Sequence, residues 1–344
     1  MIFRRPLLPL QYEFYRQTYP TTEKIVWTLM PEIVSDHTDI PPALLRPFFH
    51  DCFIRACDGS VLLNYTSNPN STAERNAIPN RTLRGFEYID QIKEAVEKNC
   101  PGPGIVSCSD ILAMATRDGI VLIGGPYYPV LTGRRDSITS YFNEATNHIP
   151  RPTDSVTQFL QAFGLRGFNT REAVALLACM CLIGGGHNIG RMGCGVIRAR
   201  FNFSGTGKPD PSIPADLLNE MRRRCPDEDD GRSISVSPSP APTSDSTTVL
   251  RITQRNGFMP NGENFDSHFS KNLLRGRGLI FSDQQLTQSP ITVRIVGAYA
   301  SDEGGSEAFR RDFAKPMVKL SNLNVVTGDD EGEIRLSCFM PRNT

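Results

Sequence analysis

The sequence predicts a mostly α-helical protein. Apolar residues recur at the three- and four-residue spacing of helices in several segments along the 344 residues. Alternating runs of apolar and polar residues, which are typical of strands, are scarce. The chain is long enough for one large domain or two modest ones with a sizeable core.

Three apolar stripes and one helix start support this prediction. We expect one further helix to begin at Ser109 or Asp110 and to run through DILAMATRDGIVLIGG. A proline, Pro101, closes the second stripe. In chain order the stripes are Ile25, Leu29 and Ile33; Phe86, Ile89, Ile92 and Val96; and Phe309, Phe313, Met317 and Leu320.

One region lacks any helical or strand period. Residues 227–264 pass from an acidic run into SISVSPSPAPTSDSTT and then NGFMPNGEN, with proline, serine and glycine dominating. This composition predicts a flexible surface insertion rather than a domain boundary.

The charge balance and the cysteine count bound the class of protein. Basic and acidic residues each number 37, so nothing in the net charge favours nucleic acid or a membrane surface as partner. No run approaches the about 18 apolar residues that a transmembrane helix requires. Nine cysteines and four Asn-x-Ser/Thr sequons indicate an oxidising compartment. The N-terminal MIFRRPLLPL is interrupted by prolines, so we expect a secreted type of protein whose signal peptide is absent or truncated here.

The segment LLRPFFHDCFIRACDGSVLL concentrates the chemistry. Arg46, Phe49 and His50 fall at positions i, i+3 and i+4, which share one face of a helix. One interpretation is a surface helix with a satisfied histidine. The other is a general base beside a fixed cation, suited to deprotonating a small substrate and stabilising the negative charge that develops.

Oxygen donors follow directly. Asp51, Ile54, Ala56, Asp58 and Ser60 offer carboxylate, carbonyl and hydroxyl oxygens, the last four at alternate positions. Hard oxygen donors of this kind are what Ca²⁺ prefers. The neighbouring cysteines either bridge across the loop or act as soft metal ligands, and the hard neighbours favour the bridge.

These residues carry a family resemblance. RPFFHDCFIRACDGSVLL resembles the distal-haem and calcium segment of the class III plant secretory peroxidases. The resemblance continues in the family's order through LRGFEYIDQIKEAVEKNCPG, VSCSDILAMATRDGI, LTGRRDS, GGGHNIG, RFNFSGTGKPDP, GRGLIFSDQQL, DFAKPMVKLSN and TGDDEGEIRLSC. It implies a fold of about ten or more helices, with haem between a distal half (about 11–150) and a proximal half (about 151–340) of a single domain spanning 11–340.

The resemblance also implies an activity and its residues. Hydrogen peroxide would oxidise phenolic donors in one-electron steps on a non-covalent haem b, since no C-x-x-C-H run is present. His50 would be the distal base, Arg46 would stabilise charge, and Asn80 would accept the imidazole N–H. His187 would be the axial iron ligand and Asp283 its carboxylate partner, with Pro150 at the donor site. Asn80 also lies in a sequon, and its burial would leave glycans only at Asn64, Asn70 and Asn202.

Metal sites and disulfides follow from matched positions in the same way. The first calcium site would take Asp51, Ile54, Ala56, Asp58, Ser60 and Glu74. The second would take Asn188, Asn261, Asn264 and Asp266, and we expect it to be weak or absent. The implied disulfides are Cys52–Cys57, Cys108–Cys338 and Cys194–Cys225.

The chain departs from the family pattern at several places. Tyr19 replaces the first cysteine, which leaves Cys100 without its partner, and Phe258 replaces an aspartate of the second calcium site. VALLACMCLIGGGH is about seven residues longer than the family's run before His187 and adds Cys179 and Cys181. Pro47 lies inside the distal helix. An alternative function is therefore a catalytically impaired peroxidase-fold protein that binds or supports extracellular partners.

We expect a monomer that is secreted to the cell wall or apoplast and acts on hydrogen peroxide and small phenols. Nucleotide binding is disfavoured, because the glycines before His187 match neither G-x-G-x-x-G nor a phosphate loop.

Overall fold

The computed structural model describes residues 10–64, 72–179, 191–225, 233–235, 265–328 and 332–342. Within them the chain is mostly helical, as predicted, and the one sheet is a short antiparallel pair. The α-helices are α1 Thr22–Asp36, α2 Ile40–Ile54, α3 Phe86–Asn99, α4 Cys108–Leu122, α5 Phe142–His148, α6 Val156–Gly164, α7 Thr170–Cys179, α8 Cys194–Arg198, α9 Ala215–Arg224, α10 His268–Leu274, α11 Phe281–Gln285, α12 Pro290–Ala300 and α13 Gly305–Ser321.

The strands are β1 Arg191–Gly193 and β2 Ser233–Ser235, paired with Met192 opposite Ile234. Strand β2 lies within the stretch 227–264, which the composition predicts to be a flexible surface insertion. The other residues of the stretch lie outside the described part of the chain.

The chain divides into two compact units. The first comprises the described residues up to Leu122, then Tyr127–Ile149, and those from Met317 onward. Its core is built by helices α1 to α4, with α4 packed against the other three. The disulfide Cys108–Cys338 ties the start of α4 to the C-terminal segment of the same unit. A crosslink over so long a loop stabilises by restricting the unfolded chain.

The second unit comprises Ile123–Pro126 and Pro150–Pro316. Helix α12 packs against α7 and α10. A separate apolar cluster joins α8 and α9, and the disulfide Cys194–Cys225 lies within it. The third disulfide, Cys52–Cys57, is in the first unit, and Cys100 is free. These are the pairs and the free thiol that the family resemblance implies.

Two of the three predicted stripes face the core. In the second, Ile89, Ile92 and Val96 are buried and Phe86 is half-buried; all four residues of the last stripe are buried. Helix α1 buries Val26 and Met30 rather than Ile25 and Leu29. The reason lies on α4, where Gly119 leaves room for Met30: a Cβ at Gly119 would lie 3.3 Å from its terminal methyl.

Candidate active site

Helix α2 carries Arg46, Phe49 and His50 in the interior of the first unit, each no more than 3% exposed. The helix runs from Ile40 to Ile54 through Pro47 without a break. The proline that lies between Arg46 and His50 is therefore accommodated, and the two side chains keep their shared helical face.

The imidazole of His50 is oriented by one amide. His50 Nδ1 lies 2.6 Å from Asn80 Oδ1, while Asn80 Nδ2 donates to the carbonyl of Glu74 at 3.0 Å. Because the amide oxygen only accepts, His50 Nδ1 must carry the proton, and Nε2 is left as the base. Among the described residues, no group bonds His50 Nε2, although it is buried.

Burial and then the charge of Arg46 lower the pKa of His50 well below its usual value, against an opposing effect of Asn80. Both effects favour the neutral ring. A neutral imidazole with a buried, unbonded nitrogen is prepared to take a proton.

Arg46 is held by the same segment that holds His50. Its Nη1 donates to Thr82 Oγ1 at 2.9 Å and its Nη2 to the carbonyl of Pro79 at 2.6 Å. Sequence reasoning missed these two anchors, because a carbonyl leaves no sequence signal and Thr82 stood out only as part of a sequon.

The oxygen-rich loop after α2 is folded around Asp51. Its carboxylate accepts from the backbone N–H groups of Gly59 at 2.9 Å and Val61 at 3.3 Å. Gly59 has φ +69°, a conformation in which a side chain would be strained, and its carbonyl accepts from Arg335. Of the six residues assigned to the first calcium site, all but the half-buried Ile54 are buried.

The acidic residues of this loop all have raised pKa values. Burial, and then the charges of Asp58 and Glu74, raise the pKa of Asp51 well above its usual value. Burial raises the pKa of Asp58 to about 6, and burial with the charge of Asp58 raises that of Glu74 to about 8. Glu74 Oε1 is buried and has no partner among the described residues.

The donor set is mixed. No three His, Cys, Asp or Glu side chains in the described ranges converge into a ready metal cluster. A cation in the loop would therefore also need the carbonyl and hydroxyl oxygens of Ile54, Ala56 and Ser60. Such mixed oxygen sets suit Ca²⁺.

The candidate second calcium site differs. Asn188, Asn261 and Asn264 lie outside the described residues. Asp266, the remaining member, accepts hydrogen bonds from both the backbone N–H (2.7 Å) and the ring Nδ1 of His268. Burial raises the pKa of Asp266, but the hydrogen bond and charge of His268 outweigh it, and the pKa is lowered.

The remaining candidates lie in the second unit. Asp283 is buried on α11, and Pro150 is buried where the unit's main segment begins. The N–H of Ser282, beside Asp283, donates to the carbonyl of Pro152 at 3.0 Å. His187, the candidate iron ligand, lies outside the described residues, as do Cys181 and the candidate glycosylation site Asn70. Asn64 and Asn202 are exposed.

Comparison with known proteins decides the family. The family model described as peroxidase matches residues 26–302, which is most of the chain. The chain belongs to the peroxidase family. The resemblance to the plant secretory peroxidases is thereby confirmed, and so are the helical fold and the assignment as a peroxidase enzyme. Membership of this family implies haem as the cofactor.

Several Arabidopsis thaliana peroxidases are similar to this peroxidase over nearly their whole length. Peroxidase 39 is 40% identical over 96% of this chain and 91% of its own. Putative Peroxidase 48 is 39% identical over 97% of this chain and 83% of its own, and Peroxidase 28 is 38% identical over 98% and 94%. In the described part of the molecule no helix has the length and apolarity of a membrane span.

Proposed function

We propose that this peroxidase oxidises small phenolic donors with hydrogen peroxide, and that His50 and Arg46 carry out the peroxide step. The observation that carries the proposal is the buried His50 Nε2, unbonded among the described residues while Asn80 holds Nδ1. Burying a polar atom without a partner is costly, so such an atom in a native fold calls for a ligand. A hydrogen peroxide molecule offers the proton that this nitrogen lacks.

We infer that the cofactor is a non-covalent haem b. His187 would hold the iron, and Asp283 would accept the other imidazole N–H of that histidine and raise its basicity. Haem, when bound, would supply the iron at which peroxide is reduced, and would hold the two oxidising equivalents that peroxide delivers until two phenols consume them. Pro150 would border the site where those phenols approach.

His50 moves one proton. Its Nε2 takes the proton from one peroxide oxygen and returns it to the other, which leaves as water. Asn80 keeps the proton on Nδ1 throughout, so that Nε2 is always the atom that exchanges.

Arg46 supplies a fixed positive charge. Thr82 and the Pro79 carbonyl hold its guanidinium in place beside His50. A charge that is already in position stabilises the negative charge of the breaking O–O bond without reorganisation.

We further propose one calcium ion in the loop of Asp51, Ile54, Ala56, Asp58 and Ser60, supported by Glu74. The raised pKa values of its acidic groups support this assignment, because a bound cation would offset both the burial and the mutual repulsion that raise them. A second calcium at Asp266 is weak or absent, because that carboxylate is already engaged by the backbone N–H and the ring of His268. The ion would brace the C-terminal end of α2 and hence His50.

The wider setting completes the proposal. Residues 11–340 form one haem peroxidase domain with a distal and a proximal half. The protein acts as a monomer outside the cell, where its three disulfides and glycans at Asn64, Asn70 and Asn202 are compatible with an oxidising compartment.

A single substitution tests the catalytic assignment. We expect His50→Ala to keep haem bound but to slow the reaction with peroxide by about 10²–10⁴-fold, the usual contribution of a general base. Stopped-flow absorbance of the haem band measures both. His148→Ala, at the exposed end of α5, is the matched control. If His50→Ala kept most of the rate, the assignment of the base would be wrong.

A further inference from the structure

A solvent-open cleft of about 580 Å³ lies against the proposed calcium loop. Three of the loop's proposed ligand residues, Ile54, Ala56 and Asp58, line it. The other three, Asp51, Ser60 and Glu74, do not line it. Asp58 is as buried as these three, so it is distinguished by its place in the lining and not by its exposure. The loop therefore has one face towards the protein interior and one towards this cleft.

The segment Ser137–Tyr141 also lines the cleft, through Ser137, Ile138, Thr139 and Tyr141, and is bonded to the same acidic residues. The N–H of Ser137 donates to the carbonyl of Asp58 at 2.8 Å. The N–H of Tyr141 donates to Glu74 Oε2 at 3.2 Å, and the N–H of Glu74 donates to Ser140 Oγ at 2.6 Å. This lining segment and the loop are thus joined by hydrogen bonds.

Arg55 lies at the rim. Its side chain is 56% exposed, its guanidinium sits 4.6 Å from the centre of the Tyr141 ring, and Nη1 is 3.8 Å from Glu144 Oε1. Exposed contacts of both kinds are weak, and exposed side chains change rotamer rapidly. Arg55 therefore covers the rim without sealing it.

We propose that this cleft is the route by which calcium enters and leaves its loop, with Arg55 as a movable rim. The inference rests on the proposed calcium site and adds to it a path for exchange. The alternative is passage through the buried side, past Asp51 and Glu74, which requires the helices to open. Exchange through the cleft needs only side-chain motion, so calcium release should be much faster than unfolding.

The test fills the cleft without touching a ligand. Thr139 is exposed and lines the cleft, and its backbone N–H and carbonyl both bond Ser137 Oγ. Replacing its side chain leaves those bonds intact. Thr157→Trp, at an exposed threonine on α6, is the matched control, and Val326→Phe fills the cleft from a different lining residue.

Stopped-flow mixing of calcium-loaded protein with excess fluorescent chelator gives the release rate, and calorimetry gives the affinity. We expect Thr139→Trp and Val326→Phe to slow release by about tenfold while the Kd stays within about twofold, since a route changes rates and not end states. Thr157→Trp should change neither.

The outcomes separate the two proposals. If the cleft-filling variants bound calcium normally and released it at the wild-type rate, the exchange route would be overturned while the site stood. If the wild-type protein bound no calcium, both would be overturned. Circular dichroism identifies any variant that fails to fold, and the other cleft variant then carries the test.

Discussion

The loop after α2 and the segment around Asp266 both carry the acidic residues of a candidate calcium site, but the pKa values of these residues shift in opposite directions. In the loop, Asp58 and Glu74 have raised pKa values of about 6 and about 8. At Asp266 the pKa is lowered, because His268 outweighs burial. The difference teaches that residue type alone does not define a cation site. Carboxylates are suited to bind a cation where burial and neighbouring carboxylates raise their pKa values, and less suited where a neighbour lowers them.

Removing calcium should give the largest effect. At a calcium concentration about a thousandfold above the Kd, binding contributes about 4 kcal/mol to the free energy of unfolding. We therefore expect chelation to lower that free energy by this amount, measured by urea denaturation with and without chelator. An equal free energy of unfolding with and without chelator would contradict the proposal that the loop after α2 binds calcium.

The calcium-free protein should next show a specific pH dependence. The pKa of Glu74 is about 8 when folded, so the folded state binds a proton that the unfolded state releases near its ordinary value. Stability should therefore fall by a few kcal/mol as the pH rises from 5 to 8. Urea midpoints across this range measure it, and Glu74→Gln should flatten the curve. If the stability of the calcium-free wild type rose with pH over this range, the raised pKa of Glu74 would be contradicted.

A matched pair of amide substitutions sharpens the comparison further. Glu74→Gln should weaken calcium binding by about 10- to 100-fold, as loss of a supporting group around a metal usually does. Asp266→Asn should leave calcium affinity unchanged and cost less than about 1 kcal/mol of stability, because the pair with His268 is partly exposed. Calorimetric titration of both variants gives the affinities. The reverse ranking would move the calcium ion to the Asp266 segment.

Sequence spacing predicts much of the distal site and little of what surrounds it. Arg46, Phe49 and His50 are recognisable because their spacing is that of one helix face. The anchors of Arg46 could not be predicted, since the Pro79 carbonyl depends on how a loop folds. The hydrogen bond between Asp266 and His268 depends on their rotamers and on their burial. Their separation of two residues in the sequence determines neither.

The fold shows the same division. The buried face of α3 follows from its stripe, because Ile89, Ile92 and Val96 leave one strongly apolar side. In α1 two neighbouring stripes are almost equally apolar, and Gly119 on the facing helix decides that Met30 goes inward. The pairing of β2 with β1 could not be predicted, because strands of three residues are too short to show an alternation of apolar and polar residues.

The absorption spectrum of the haem- and calcium-loaded protein, before and after one equivalent of hydrogen peroxide, tests the central claim most directly. The account predicts a protein-bound haem band that changes promptly on mixing and returns when a phenol is added. Folded protein that gave only the spectrum of free haem, or a bound haem that did not respond to peroxide, would contradict it.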